Sequence, residues 1–344
     1  MVILVIIGAL VGAGFASGQE IYLFFYKYGP SGILGILLCS VIIGIVIYKV
    51  FKIIMKYNIN SYKEFLNKIF GMKENGKTKK YLNISYIMNI IVNVFLLVSF
   101  FIMISGFGAY FKQEFGINNF IGSGILALIC FMIFLRDMKG VAKVSSYVVP
   151  ILILFVIVIG IKNINLINVN NIGENVTEIK INILNNWFVQ SIIYASYNII
   201  LLIPVLVNLK NYLKDNKQII VISLCSGIIL CILAIIIYLL LINVDVPFKM
   251  LEMPAVYSIS HLGMVLKRMY GVVILLSIFT TAISIGISFL ENIVKNKKSF
   301  PQIAGIMCIT SILISNIGFS NLVNLLFPVF GYLGLMQIYY IVVN

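Results

Sequence analysis

Polar and charged positions in the 344-residue chain gather in short clusters separated by long apolar runs. Reading the runs between clusters predicts ten spans, at about 2–26, 31–51, 82–111, 119–135, 141–161, 184–208, 218–243, 265–292, 301–316 and 319–342. Most approach the length of about 20 residues that an α-helix needs to cross the hydrocarbon core of a bilayer. The runs are continuous rather than alternating, which argues against a β-barrel. The largest polar stretches, 52–80 and 162–183, leave no room for a soluble domain. The expected fold class is therefore all-α and polytopic, a single transmembrane domain over 1–344.

Ten spans divide into five and five. An odd number of spans per half gives the halves opposite topology, the condition for an inverted repeat, with repeat one at about 1–161 and repeat two at about 184–342. Span one reads Phe15-Ala16-Ser17-Gly18-Gln19 and span six reads Tyr194-Ala195-Ser196-Tyr197-Asn198, each in the first span of its half. The match predicts that helices one and six are both broken.

Composition supports a lipid environment. The chain is 61% hydrophobic and 10% charged, where a soluble domain carries roughly a quarter charged residues. A net charge of +14 would suit nucleic acid, but nine of the lysines lie between Lys49 and Lys80, where membrane topology is the more economical explanation. With the N-terminus in the cytoplasm, eighteen of the 25 Lys and Arg fall inside and seven outside. The expected location is the cytoplasmic (inner) membrane, multi-pass, with both termini cytoplasmic. Met1–Leu10 lacks a basic flank and reads as the first half of a membrane helix, not as a signal peptide. The five cysteines lie in apolar runs without metal-type spacing, and His261 has no second His or Cys near it. Trp187 reads as an interfacial anchor.

Gly8, Gly12, Gly14 and Gly18 loosen the first span, since each Gly costs up to about 1 kcal/mol relative to Ala inside a helix. Unwound backbone in hydrocarbon leaves N–H and C=O groups unpaired at several kcal/mol each, so such a stretch must line a cavity and bind something. A half-helix beginning at the break favours a carboxylate, and freed carbonyls favour a cation. Close packing is the simpler reading of Gly8-x-x-x-Gly12, but it leaves Ser17, Gln19 and Glu20 unexplained. Glu20 is the one acidic residue well inside a span, and ionised at the bilayer centre it costs at least about 2.5 kcal/mol. Its expected role is coupling or gating, the alternative being solvation of a vestibule.

At these residues the chain resembles the LeuT-fold transporters of the amino acid–polyamine–organocation superfamily. The block Gly12-Ala-Gly-Phe-Ala-Ser-Gly-Gln-Glu20 resembles the opening of YkvI-like membrane transporters. The resemblance implies a sodium site formed by the carbonyls of Gly8 and Val11, the carbonyl of Ser277 and the hydroxyls of Thr280 and Thr281. Threonines in membrane helices also commonly bond their own backbone. It implies a substrate site between the two breaks, with Gly12, Ala13, Gly14 and Phe15 on one wall and Tyr194, Ala195, Ser196 and Asn198 on the other. In that site the Ala13 and Gly14 amides would receive a carboxylate. Asn89 and Asn93 share a helix face and either reach this cavity or bridge helices. Phe15 stands where relatives place a sodium-ligating Asn, and Gly18 where they place a gate Arg, so neither feature is carried over. Pro247, Glu252 and Pro254 are expected to shape an external lid.

The implied function is secondary active transport of a small amino acid or related zwitterionic solute, coupled to Na+ or H+, by alternating access. A non-transporting ligand receptor on the same fold, like a germinant receptor, is the alternative, and a channel is a third. No nucleotide-binding loop or catalytic motif is present, so neither an enzyme nor a cofactor is expected, only Na+ as a possible coupling ion. The expected partners are a small-molecule solute and the lipid bilayer, not nucleic acid, and the chain carries no signal for an oligomeric state.

Overall fold

A computed structural model describes residues 2–70, 79–135, 141–164, 186–294 and 298–343, with the backbone alone for 79–84, 141–147 and 164. The first span consists of three pieces, α1 (Val2–Leu10), α2 (Ala13–Ala16) and α3 (Gln19–Phe24). There follow α4 (Ser31–Tyr57), α5 (Tyr62–Ile69), α6 (Lys79–Phe115), α7 (Asn119–Phe134), α8 (Val141–Ile164) and α9 (Trp187–Asn208). The rest of the chain forms α10 (Asn216–Leu241), α11 (Pro254–Ser258), α12 (Met264–Ile293), α13 (Phe300–Ile314) and α14 (Phe319–Val343). Among the described residues, seven helices are long and apolar enough to cross a membrane, and α7 and part of α8 are shorter apolar helices. Helices stand at each of the ten predicted runs.

Exposed apolar residues recur at three- and four-residue spacing along the outer helices: Leu34, Leu37, Val41 and Ile45 on α4, Val221, Leu224, Ile228 and Ile232 on α10, and Ile306, Ile309 and Leu313 on α13. Continuous stripes of this kind belong to helices solvated by lipid. The chain is a multi-pass membrane protein.

Two stretches depart from the sequence expectation. Helix α4 runs to Tyr57, beyond the apolar run that ends at 51, because lysine stems lie along the helix surface. Lys52 Nζ stands 4.8 Å from the Tyr48 ring centroid. The helix stops at Asn58, whose φ of 54° is a left-handed value that Asn tolerates. The polar stretch 52–80 also contains α5, which the apolar-run reading passed over. Ser61 Oγ accepts from the Glu64 amide at 3.2 Å and Glu64 Oε2 accepts from the Asn60 amide at 2.8 Å. This reciprocal cap is written in Ser61-Tyr-Lys-Glu64. Phe65, Leu66 and Ile69 face inward and Lys63, Glu64 and Lys68 outward.

The pieces of the first span occupy the middle of the bundle. Helix α1 packs against α8, α9 and α10, α2 against α6 and α12, and α3 against α9, α10 and α14. Helix α9 also packs on α4 and α14, and α12 on α6 and α8.

The expected second break is absent, and this is a correction. Helix α9 is continuous from Trp187 to Asn208. It contains no glycine, and Pro204 lies too near its end to interrupt the centre. Asn198 Nδ2 donates to the Tyr194 carbonyl at 2.9 Å, so this polar side chain of the block bonds along its own helix. The five-residue likeness between spans one and six is therefore not a likeness of backbone. The segment 165–185 and the basic residues Lys73, Lys77, Arg136, Lys139, Lys180, Lys295 and Lys297 of the charge count lie outside the described residues.

Candidate functional site

The first span is interrupted twice rather than once. Before the first interruption, the Val11 amide donates to the Ile7 carbonyl at 2.7 Å; after it, the Ala16 amide donates to the Gly12 carbonyl at 3.0 Å. The carbonyls of Gly8 to Val11 and the amides of Gly12 to Phe15 stand outside the helical ladder. The second interruption is at Gly18, whose φ of +81° is a conformation that glycine adopts without steric cost. There the Ser17 carbonyl accepts from the Ala255 amide at 2.8 Å and the Ala16 carbonyl accepts from Tyr270 Oη at 2.6 Å.

Glu20 folds back across α2. Its side chain is buried, 4% exposed, and Oε2 accepts from Tyr197 Oη at 2.5 Å. A Cβ added to Gly14 would stand 2.2 Å from Glu20 Oε1, so the carboxylate occupies the space that glycine leaves. The protein thus has a carboxylate of its own on the Cβ side of Gly14, the residue whose amide, with that of Ala13, is expected to receive a ligand carboxylate. Among the described residues no Lys, Arg or His pairs with Glu20, and the ion pair present is Lys267–Glu114 at 2.7 Å.

Aromatic rings close around this carboxylate. Tyr194 and Tyr197, three apart on α9, present one helix face and their rings are 5.3 Å apart. Phe24 lies 5.3 Å from Tyr194 and 5.5 Å from Tyr197, Phe25 lies 4.9 Å from Tyr194, and Phe327 stacks on Tyr197 at 4.8 Å. The Tyr194 hydroxyl is buried beside Glu20. Phe15, Ala195 and Ser196 are fully buried, and Ser196 Oγ has no hydrogen-bond partner. The sequence reading chose Tyr194, Ala195, Ser196 and Asn198 and passed over Tyr197, which makes the bond to Glu20. The three-residue spacing of the two tyrosines was the available signal.

The residues expected at a sodium site lie between the first interruption and α12. Ser277 Oγ donates to the Val11 carbonyl at 3.5 Å, and Thr280 Oγ1 donates to the Ser277 carbonyl at 3.1 Å. Thr281 Cγ2 lies 4.0 Å from the position of a Cβ on Gly12. Gly8, Thr280 and Thr281 line a cavity of about 580 Å³ that runs past Ser284 and Ser288 to Glu291, Asn292, Asn208 and the Asn60–Tyr62 segment. Gly8 also serves close packing, since a Cβ there would stand 2.6 Å from Val149 Cγ2. Gly8 therefore both lines a cavity and allows a close helix contact. Asn89 and Asn93 do not line this cavity, to which α6 contributes Leu96. Asn93 Nδ2 donates to the Asn89 carbonyl at 2.9 Å, which turns its amide group toward its own helix.

The opposite side is closed by the segment around α11. Gln113 Oε1 accepts from the amides of Glu252 at 3.1 Å and Met253 at 2.9 Å, while Gln113 Nε2 donates to the Met253 carbonyl at 3.2 Å. Glu252 Oε2 accepts from the Ser320 amide at 2.7 Å, in the first turn of α14. Pro254 opens α11, and Tyr22 stacks on Phe248 at 4.1 Å. Glu252 and Pro254, expected to shape an external lid, both belong to this segment. Gln113 clamps it, and nothing near residue 113 in the sequence signals a partner at 252. His261 is exposed, the five cysteines are free thiols, and among the described residues no group of three or more His, Cys, Asp or Glu gathers as a metal site.

No family model matches the chain. It is 29% identical over 341 residues to a Bacillus subtilis (strain 168) protein described as the uncharacterized membrane protein YkvI, covering 96% of this chain and 91% of that one. It is 24% identical over 334 residues to a second B. subtilis protein, YyaD, covering 96% and 92%. Among solved structures it is similar to the Eremococcus coleocola manganese transporter, with a TM-score of 0.60 at 14% identity over 97% of this chain and 76% of that one. A Na+-coupled sialic acid symporter in a substrate-bound outward-open state gives a TM-score of 0.60 at 13% identity over 96% and 75%. These neighbours are membrane transporters rather than enzymes, and it is their fold that this chain shares.

Proposed function

We propose that the protein is a secondary active transporter working by alternating access, with its ten spans arranged as an inverted 5+5 repeat in the cytoplasmic membrane and both termini inside. One observation carries this reading. The interrupted first span stands between a cavity open on one side and a lid bonded shut over the other. A channel needs continuity to both sides, whereas a transporter needs a central site reached from one side at a time. The bonds from Ala255 to Ser17 and from Gln113 to the lid are the contacts that would break when access switches.

The cargo is a small amino acid or a related amine-bearing solute, held near Glu20, Tyr194 and Tyr197. Coupling to Na+ is supported by the chemistry of the donor set. The carbonyls freed at Gly8 to Val11 and the oxygens of Ser277, Thr280 and Thr281 are all oxygen donors, the type that suits hard cations. Glu20 is the route for H+ if Na+ has no effect. The test is uptake into proteoliposomes of labelled glycine, alanine, betaine and choline, with an imposed Na+ or H+ gradient. Saturable uptake accelerated by one gradient is expected. Binding with no flux would replace transport by a receptor role, and neither binding nor flux would end the proposal.

A further inference from the structure

We propose that Glu20, with Tyr194, Tyr197 and Phe24, forms an ammonium-recognition site, so that the cargo is selected by its cationic nitrogen and needs no carboxylate. The inference rests on the transporter reading and names the cargo's recognised group.

The geometry supplies four reasons. First, Glu20 is buried with no basic partner among the described residues, and a buried carboxylate needs a countercharge or a proton. An ammonium ligand provides both the charge and an N–H donor. Second, the space beside Gly14 is filled by Glu20 Oε1. A ligand carboxylate placed there would confront a like charge at contact distance in a medium that screens poorly. Third, the rings of Phe24, Tyr194 and Tyr197 stand within about one ring diameter of one another, and aromatic faces attract organic cations most strongly where water is excluded. Fourth, the Tyr194 hydroxyl is buried beside the carboxylate, and its oxygen can accept a second N–H.

The same inventory disfavours a metal ion. Octahedral divalent cations of the manganese type take about six oxygen donors, and the side-chain oxygens here are those of one carboxylate and two phenols, with aromatic rings around them. In the present closed arrangement Tyr197 Oη donates to Oε2. An entering N–H would take over that acceptor and release Tyr197.

The test uses the full-length protein in detergent at constant Na+, with thermal stabilisation and competition uptake as readouts. The probes are ethanolamine, choline, glycine, glycine methyl ester, acetate and manganese chloride. Ethanolamine and the ester are expected to bind at least as tightly as glycine, and acetate not at all. Glu20→Gln should weaken ethanolamine at least about tenfold, while Tyr197→Phe, which keeps the ring, should change it less than about threefold. If glycine binds and its ester and ethanolamine do not, the inference is overturned while the transporter reading stands. Undiminished ethanolamine binding in Glu20→Gln, Glu20-dependent stabilisation by manganese chloride, or no binding by any organic amine would each overturn it as well. If Glu20→Gln does not fold, the comparison of acid and ester on the unaltered protein decides. Accumulation of no solute in the wider uptake panel would instead remove the transporter reading.

Discussion

Gly14 and Glu20 hold each other in place. The carboxylate can lie where it does because residue 14 has no side chain, and the bend at Gly18 brings it back over α2. Gly14→Ala would place a methyl 2.2 Å from Oε1, and overpacking of this kind costs about 1–3 kcal/mol. Gly12→Ala meets its nearest neighbour, Thr281 Cγ2, only at 4.0 Å. Thermal unfolding should therefore separate the two, with a clearly lower midpoint and lost uptake for Gly14→Ala and a small change for Gly12→Ala. Equal effects would mean that Glu20 does not rest on Gly14. Thr280 gives a second prediction at this scale. If its hydroxyl contributes to cation binding, Thr280→Ala should raise the Na+ concentration for half-maximal uptake about tenfold, equivalent to about 1.4 kcal/mol. An unchanged Na+ response would restrict Thr280 to its bond with the Ser277 carbonyl.

At the scale of elements, the contrast is between the segmented first span and the continuous α9. Both carry a short polar block at mid-span, but the block in span one is embedded in glycines and the block in α9 is not. Amides outside a hydrogen-bonded ladder open at low free energy, while those inside a packed helix need larger openings. Hydrogen exchange should therefore be at least about tenfold faster at Gly12 to Phe15 than at Tyr194 to Asn198. Comparable protection at the two blocks would contradict the interruption. Helix α5 shows the reverse failure of prediction. Its cap is legible in Ser61 to Glu64, but a reading tuned to long apolar runs overlooks an eight-residue helix that buries only one face.

For the whole molecule, the transporter reading turns on unequal access. Ser284 is exposed to the cavity, whereas Ala255 is fully buried where its amide bonds to Ser17. In a protein whose five native cysteines are replaced by alanine, a small thiol reagent should label Ser284→Cys rapidly and Ala255→Cys slowly. Adding Gln113→Ala, which removes the clamp on Glu252 and Met253, should increase labelling at position 255 several-fold. Equal labelling of both positions in the unclamped and clamped proteins would remove the basis for one-sided access.

The apolar runs alone determined the membrane setting, the position of each long helix and the fact that the first span is interrupted. These properties depend on local chain chemistry: about 20 apolar residues span a bilayer, and clustered glycines weaken a helix wherever it is placed. They also marked Glu20, because an acidic residue in hydrocarbon is costly in any fold. Tertiary structure decided the rest. Whether span six breaks depends on its ladder, which runs unbroken through a helix that contains no glycine. The partner of Glu20 is Tyr197, 177 residues away, and the clamp between Gln113 and Met253 bridges 140. Contacts at such separations leave no local period in the chain, so they become readable only when packing brings the helices together.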